Sequence, residues 1–160
     1  KWFNQQYLRA KTGEELSDLV APFAQGKDID KSYLSDVCEL MKERATFPKD
    51  IWDESQFFFS APKSYDEKTV RKKWKGQIPS IMQELSSLLE KIEDFSAKKI
   101  EESFKAFLAE KELSFGVVLP NFRVAVTGLG MGPSMFQISA LLGKEEVLAR
   151  IQTAIDKIQK

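Results

Sequence analysis

Residues 115–144 read FGVVLPNFRVAVTGLGMGPSMFQISALLGK, and the first half of this stretch decides the fold class. On its own, Phe115–Val126 looks like a small hairpin, with β-branched residues, partial alternation and a central Pro120-Asn121. The second half is less ambiguous. Gly128, Gly130 and Gly132 form a turn, Pro133 is placed to open a helix, and Met135–Leu142 is apolar. A dinucleotide fingerprint needs G-x-G-x-x-G inside a βαβ unit. Here the spacing is G-x-G-x-G, and no Gly-Lys-Ser/Thr follows. The simplest use of these glycines is positive φ in a turn. A further use is to present bare backbone N–H and C=O groups, ahead of a helix start, to the edge of an unstacked base.

Around this stretch the periodicity is helical. Ile78, Ile81, Met82, Leu85, Leu88, Leu89 and Ile92 recur at one-face spacing over Ile78–Phe95. Ser96 is placed to cap a second long helix whose inner face is Ile100, Phe104, Phe107 and Leu108, and the two make an antiparallel pair. Lys144–Lys160 repeats the pattern through Val147, Leu148, Ile151, Ile155 and Ile158. Nearer the start, Thr12-x-x-Glu15 is a capping box for a helix over Thr12–Gln25. Leu16, Leu19, Val20 and Phe23 form its apolar face, and Gly26 with the polar run behind it ends it. Asp30 or Ser32 caps the next helix, which carries Leu34, Val37, Cys38 and Met41 and stops near Arg44-Ala45 ahead of Pro48. Pro48–Ser60 begins as a short helix and ends in Phe57-Phe58-Phe59. That run is expected to be buried where two subdomains meet, and the competing use is a base-stacking platform. Ala61-Pro62-Lys63 is the linker candidate.

Asp66–Trp74 reads as a helix capped by Asp66. Residues 63–75 hold six cations (Lys63, Lys68, Arg71, Lys72, Lys73, Lys75) against Asp66 and Glu67, a local charge of +4. This is either a solvated face or a contact to phosphates, and the second needs a recognition surface beside it.

Composition narrows the chemistry. The 160 residues are 42% hydrophobic and 30% charged, which is enough apolar material for a folded core. No histidine is present, which removes Ser-His-Asp and Cys-His nucleophiles and most zinc sites. The single cysteine, Cys38, forms no internal disulfide, fits a cytoplasmic protein and is expected to be a buried thiol. No apolar run reaches the roughly 20 residues of a membrane span. The opening KWFNQQYLR is not a signal peptide and lacks an initiator Met, so a fragment of a longer protein is expected. The net charge is zero, from 24 basic and 24 acidic residues, so nucleic acid would have to be held by local contacts rather than bulk attraction. The carboxylates, among them Glu14, Glu15, Glu101 and Glu102, are scattered at surface spacing, and no pair stands out for acid–base work. Two of the five arginines, Arg44 and Arg123, flank sharp turns. A planar guanidinium suits bidentate recognition of a base, and the plain alternative is a surface ion pair.

Four blocks carry a resemblance over nearly the whole chain: KWFNQQYLR (1–9), LSDVCELMKERATF (34–47), QFFFSAP (56–62) and FRVAVTGLGMGPSMFQISALLGKEEVLARI (122–151). Together they resemble the C-terminal, anticodon-binding region of bacterial glutamyl-tRNA synthetases. The resemblance implies an all-α fold of two helical subdomains, 1–54 and 55–160, with Phe115–Val126 mostly helical despite its local pattern. It implies an anticodon-binding site made of Arg44, Arg123, Gly132, Pro133 and Met135. Arg44 matches an arginine that reads the third anticodon base, a cytosine. Arg123 and the turn match the part that holds the first two bases. Gly132 stands where some relatives have threonine, so only main-chain contacts carry over there.

The histidine-containing HIGH-type motif and the KMSKS-type loop of the catalytic half are absent from this chain. The expectation is therefore no catalytic residue, no metal site and no cofactor here, with ATP and Mg belonging to the rest of a monomeric, cytoplasmic glutamate–tRNA ligase. The expected partner is the anticodon loop of glutamate tRNA, with no membrane and no DNA. Two rival readings remain: a helical protein-interaction module without RNA binding, and an enzyme holding a free nucleotide at the glycine turn.

Overall fold

The computed structural model describes residues 2–24 and 29–158; the expected helix end at Gln25 and Gly26 and the last two residues of the terminal helix lie outside them. Among the described residues there are helices and no strands. The chain divides into two compact units at Ser60/Ala61.

The first unit holds α1 (Trp2–Arg9), α2 (Gly13–Val20), α3 (Lys31–Met41) and α4 (Pro48–Glu54). The Thr12 capping box closes as the spacing requires: the Glu15 N–H donates to Thr12 Oγ1 at 3.1 Å, and the Thr12 N–H donates to Glu15 Oε1 at 2.9 Å. These bonds, the backbone one foremost, hold the Glu15 carboxyl below its ordinary range. The α-helix stops at Val20 and tightens into a 3₁₀ turn over Ala21–Ala24, because Pro22 has no N–H for the next helical bond. The expected apolar face is thereby cut short. Leu16 and Val20 are fully buried, whereas Leu19 and Phe23 stay exposed.

Asp30, rather than Ser32, caps α3 by accepting the Tyr33 N–H at 3.1 Å. Leu34, Val37, Cys38 and Met41 then point into the core. Burial pushes the Cys38 thiol up to about 12, so it stays protonated and inert at neutral pH.

The triple phenylalanine belongs to this unit. Tyr33 meets Phe58 and Phe59 edge-on, with centroids 6.5 and 5.8 Å away, and its hydroxyl donates to the Phe58 carbonyl at 2.8 Å. Phe59 also lies 5.2 Å from Trp52 of α4. These rings carry the unit boundary past the expected Glu54/Ser55 to Ser60, next to the linker candidate.

The second unit holds α5 (Glu67–Lys73), α6 (Ile78–Glu90), α7 (Ala97–Lys111), α8 (Phe115–Thr127), α9 (Met135–Leu142) and α10 (Lys144–Lys157). Asp66 caps α5 and Ser96 caps α7, as their positions in the sequence require. Helix α7 ends with Glu112 in the left-handed region at φ 56°, and the Leu113 N–H returns to the Leu108 carbonyl at 2.9 Å.

The ambiguous segment is helical. From Asn121 to Thr127 every α8 residue except Arg123 is buried, with α5, α6 and α10 packed against it. In so dry a place a helix satisfies its own backbone polar groups, which a two-stranded hairpin cannot do along its edges. The carbonyl deprived of a donor by Pro120 belongs to Gly116, an exposed residue open to solvent. The buried Asn121 donates through Nδ2 to the Val117 carbonyl at 2.7 Å and to the Lys73 carbonyl at 3.0 Å. Phe104 of α7 is the hub of the apolar core, with the rings of Phe115, Phe122 and Phe136 centred 5.6, 5.7 and 5.5 Å away.

In the first unit the tightest point is the crossing of α2 and α3. The Gly13 N–H donates to Glu39 Oε1 at 3.0 Å, and a Cβ at Gly13 would collide with the Ser35 carbonyl. Gly13→Ala is expected to force the two helices apart and destabilise the protein by about 1–3 kcal/mol. Thermal melts followed by circular dichroism test this; an unchanged Tm would mean that the crossing is not tight.

Candidate nucleic-acid interface

Arg44 closes a 3₁₀ turn, Lys42–Arg44, that follows α3. The next residue, Ala45, is buried with extended backbone, and Asp50 Oδ2 accepts the Thr46 and Phe47 N–H groups at 3.0 and 2.9 Å. The chain is thus fixed on the far side of Arg44. Its other neighbours are occupied. Arg9 donates to the Glu43 carbonyl at 3.0 Å and pairs with the Glu43 carboxylate at 3.2 Å. Lys42 pairs with Glu39 at 2.6 Å and donates to the Lys11 carbonyl. Arg44 itself is exposed, and its guanidinium has no partner among the described residues. An exposed aromatic, Phe47, follows three residues later. The outcome is a planar five-donor fork on a fixed turn, available to acceptors from outside.

In the second unit the turn after α8 is held from several sides. Gly128 takes φ 78°, which only glycine adopts without strain, and its N–H closes α8 onto the Val124 carbonyl at 2.8 Å. Thr127 Oγ1 donates to the Arg123 carbonyl at 2.8 Å and accepts the Leu129 N–H at 3.0 Å. Arg150 of α10 is buried; it donates through Nη1 to the Val126 carbonyl at 2.9 Å and pairs with Glu146 at 2.7 Å. The Asp66 N–H donates to the Gly128 carbonyl at 2.9 Å. At Gly130 a Cβ would lie 2.8 Å from Thr69 Oγ1, so the turn lies flat on the start of α5. There Asp66 accepts both the hydroxyl and the N–H of Thr69, which holds its carboxyl below the ordinary range.

The expected site residues of this unit do come together, with differences in detail. Arg123 is half-buried and donates through Nη1 to the Pro133 carbonyl at 2.9 Å. Gly132 lies under the same guanidinium, since a Cβ there would stand 2.8 Å from Arg123 Nη1. Pro133 does not open the helix as expected. Ser134 is the N-cap, accepting the Gln137 N–H, and α9 begins at Met135; the hydroxyl of Ser134 satisfies an end amide, which proline cannot do. The Pro133 carbonyl, expected to be bare, is already taken by Arg123. The Met135 side chain is buried, leaving only its main chain for recognition. The exposed apolar side chains of the turn are Leu129 and Met131, neither of which stands out in the sequence. The supports that sequence reasoning missed are Arg150, Thr127 and Asp66. Their partners are carbonyls and amides distant along the chain or set by turn geometry, so no spacing announces them.

An all-helical fold with an exposed arginine fork in one unit and an arginine-braced glycine turn in the other has the means to engage unpaired bases. The sequence model described as "Anticodon binding domain" matches residues 15–155, and the chain belongs to that family. Among curated proteins it is 39% identical to the glutamate–tRNA ligase of Christiangramia forsetii over 99% of this chain and 32% of the relative. It is 40% identical to that of Bacteroides thetaiotaomicron, with the same shares covered. Among solved structures, a glutamate tRNA ligase from Elizabethkingia meningosepticum in complex with its amino acid superposes with a TM-score of 0.91 at 35% identity, over 99% of this chain and 32% of that one. The chain thus spans about a third of the length of the curated relatives it matches.

Gly132 is not among the glycines in the left-handed region, and among the described residues a Cβ there would meet only the movable end of Arg123 within 4 Å. Gly132→Thr is expected to shift stability by about 0.5 kcal/mol or less while driving Arg123 off the Pro133 carbonyl. A crystal structure of the variant together with its thermal melt tests this. An undisturbed Arg123–Pro133 bond would show that the glycine is not what seats the arginine.

Proposed function

We propose that this chain reads the anticodon of glutamate tRNA as the C-terminal part of a glutamate–tRNA ligase. The observation that carries the reading is its alignment, end to end, with part of ligases bearing that name, in a region covered by the anticodon-binding family. The same match weighs against a protein-interaction module without RNA binding.

Arg44 supplies the discrimination. An unpaired cytosine offers O2 and N3 as acceptors on its pairing edge, whereas guanine turns N1–H and N2–H donors toward a guanidinium that can only donate. Glutamate anticodons end in C and glutamine anticodons in G, so one arginine separates them. A mismatch leaves polar groups unpaired, which costs more than a lost apolar contact. Arg123, Gly132, Pro133 and the main chain at Met135 hold the first two bases. The chain performs no chemistry of its own; glutamate activation, with ATP and Mg, belongs to the remainder of a monomeric cytoplasmic enzyme.

In the full-length protein, Arg44→Gln is expected to reduce the preference for anticodons ending in C over those ending in G by about 10- to 100-fold, the value of one good bidentate base contact. Aminoacylation of both tRNA types by the variant measures it, and an unchanged preference would remove Arg44 from the recognition role.

A further inference from the structure

The cations in and around α5 differ from eight others among the described residues, which are held in ion pairs. Arg9, Lys31, Lys42, Lys49, Lys99, Lys105, Lys111 and Arg150 are all engaged by carboxylates. Lys63, Lys68, Arg71, Lys72, Lys73 and Lys75 are all exposed, and none has an ion-pair partner among the described residues. Val70, half-buried within α5, and the buried Trp74, which follows the helix as its C-cap, lie four residues apart on the inner side. Lys68, Arg71 and Lys72 fall at i, i+3 and i+4 on the opposite face. Lys75 lies just beyond the helix end, after the backbone leaves the helix at Trp74 with ψ 84°. Asp66 is turned into its own cap with Thr69, and Glu67, four residues before Arg71, makes no ion pair with it among the described residues.

Both ends of this helix are fastened to the recognition turn and to the helix that carries Arg123. At the start, the Asp66 N–H bonds the Gly128 carbonyl, Gly130 lies against Thr69, and Gly128 lies against Pro62 and the Ser64 carbonyl. At the end, the Lys73 carbonyl accepts from Asn121, two residues before Arg123. The stripe is therefore held in fixed register beside the turn. Lys68 to Lys72 spans about 6 Å along the helix axis, and their long side chains extend the reach of the stripe to neighbouring phosphates of one strand.

We propose that Lys68, Arg71 and Lys72 grip consecutive phosphates of the RNA strand whose bases engage the glycine turn. The proposal rests on the anticodon reading and adds a division of labour to it. The turn sorts bases, and the stripe holds the backbone without regard to sequence. A local stripe of this kind also reconciles RNA binding with a net charge of zero.

The test is a triple variant of the full-length protein, Lys68→Gln, Arg71→Gln and Lys72→Gln, compared with wild type and with a charge-keeping control, Lys68→Arg, Arg71→Lys and Lys72→Arg. Binding of glutamate tRNA, and of the same tRNA with its last anticodon base changed to G, is measured over a range of salt concentrations. The expected result is that log K against log salt becomes shallower by about 2, at roughly 0.7 per lost phosphate contact. Both tRNAs should weaken alike, so their ratio is kept, and the control should bind as wild type does. An unchanged salt slope in the triple variant would overturn the proposal. So would a lost preference between the two anticodons at unchanged slope, which would make α5 a support for the turn rather than a backbone contact. Failure of the anticodon reading is recognised separately, because wild type would then show no preference between the two tRNAs.

Discussion

The second unit depends on how the C-terminal end of α8 is closed. A helix leaves its last carbonyls without donors, and here they lie in a dry core where an unpaired carbonyl is costly. Two groups complete it, since the left-handed Gly128 returns its N–H to Val124 and the buried Arg150 takes Val126, while the Thr127 hydroxyl adds a second bond to the Arg123 carbonyl. That closure sets the direction in which the chain leaves α8, and so where Gly130, Gly132 and Pro133 lie. Each later contact in this region presupposes it: α5 against the turn, Arg123 on the Pro133 carbonyl, and the cap of α9 at Ser134.

The two candidate arginines, one in each unit, are prepared in opposite ways. Arg123 is half-buried and already bonded to the turn, so its guanidinium stiffens the main chain next to it. Arg44 is kept available, because its immediate neighbours Lys42 and Glu43 are engaged elsewhere and Ala45 anchors the chain behind it. Fixing the backbone while leaving the fork unpaired lowers the entropy lost on binding and leaves no internal ion pair to break first. With no excess positive charge over the whole chain, affinity for an anionic partner has to come from such local arrangements.

Much of the helical layout is legible in the residues. The Thr12 box and the caps at Asp30, Asp66 and Ser96 depend on groups three or four positions apart, so local chemistry decides them. Reading fails where a neighbour's backbone chemistry or a distant partner overrides the pattern. Leu19 and Phe23 lie on a plausible apolar face, yet Pro22 ends the α-helix and they remain exposed. The phenylalanine run reads as a junction, but Tyr33 and Trp52 draw it into the first unit. Pro133 reads as a helix start, but the neighbouring serine caps better. Of the site, Arg44, Arg123 and the glycine turn are visible as an arginine beside each sharp turn and a spacing that fits no phosphate loop. The supports Arg150, Asp66 and Thr127 are not.

By itself the sequence determined the helical period, the caps, the absence of imidazole chemistry and the family to which the motifs point, because each of these is a matter of residue type and short-range spacing. Only the tertiary structure shows what makes Phe115–Thr127 a helix, as the resemblance implied, and that Gly132 makes room for the Arg123 guanidinium and a cationic helix is clasped to the glycine turn. Those outcomes turn on burial and on hydrogen bonds between residues up to some sixty positions apart, as between Asp66 and Gly128. Local propensity is silent about them because the free energy that selects them appears only when the segments meet.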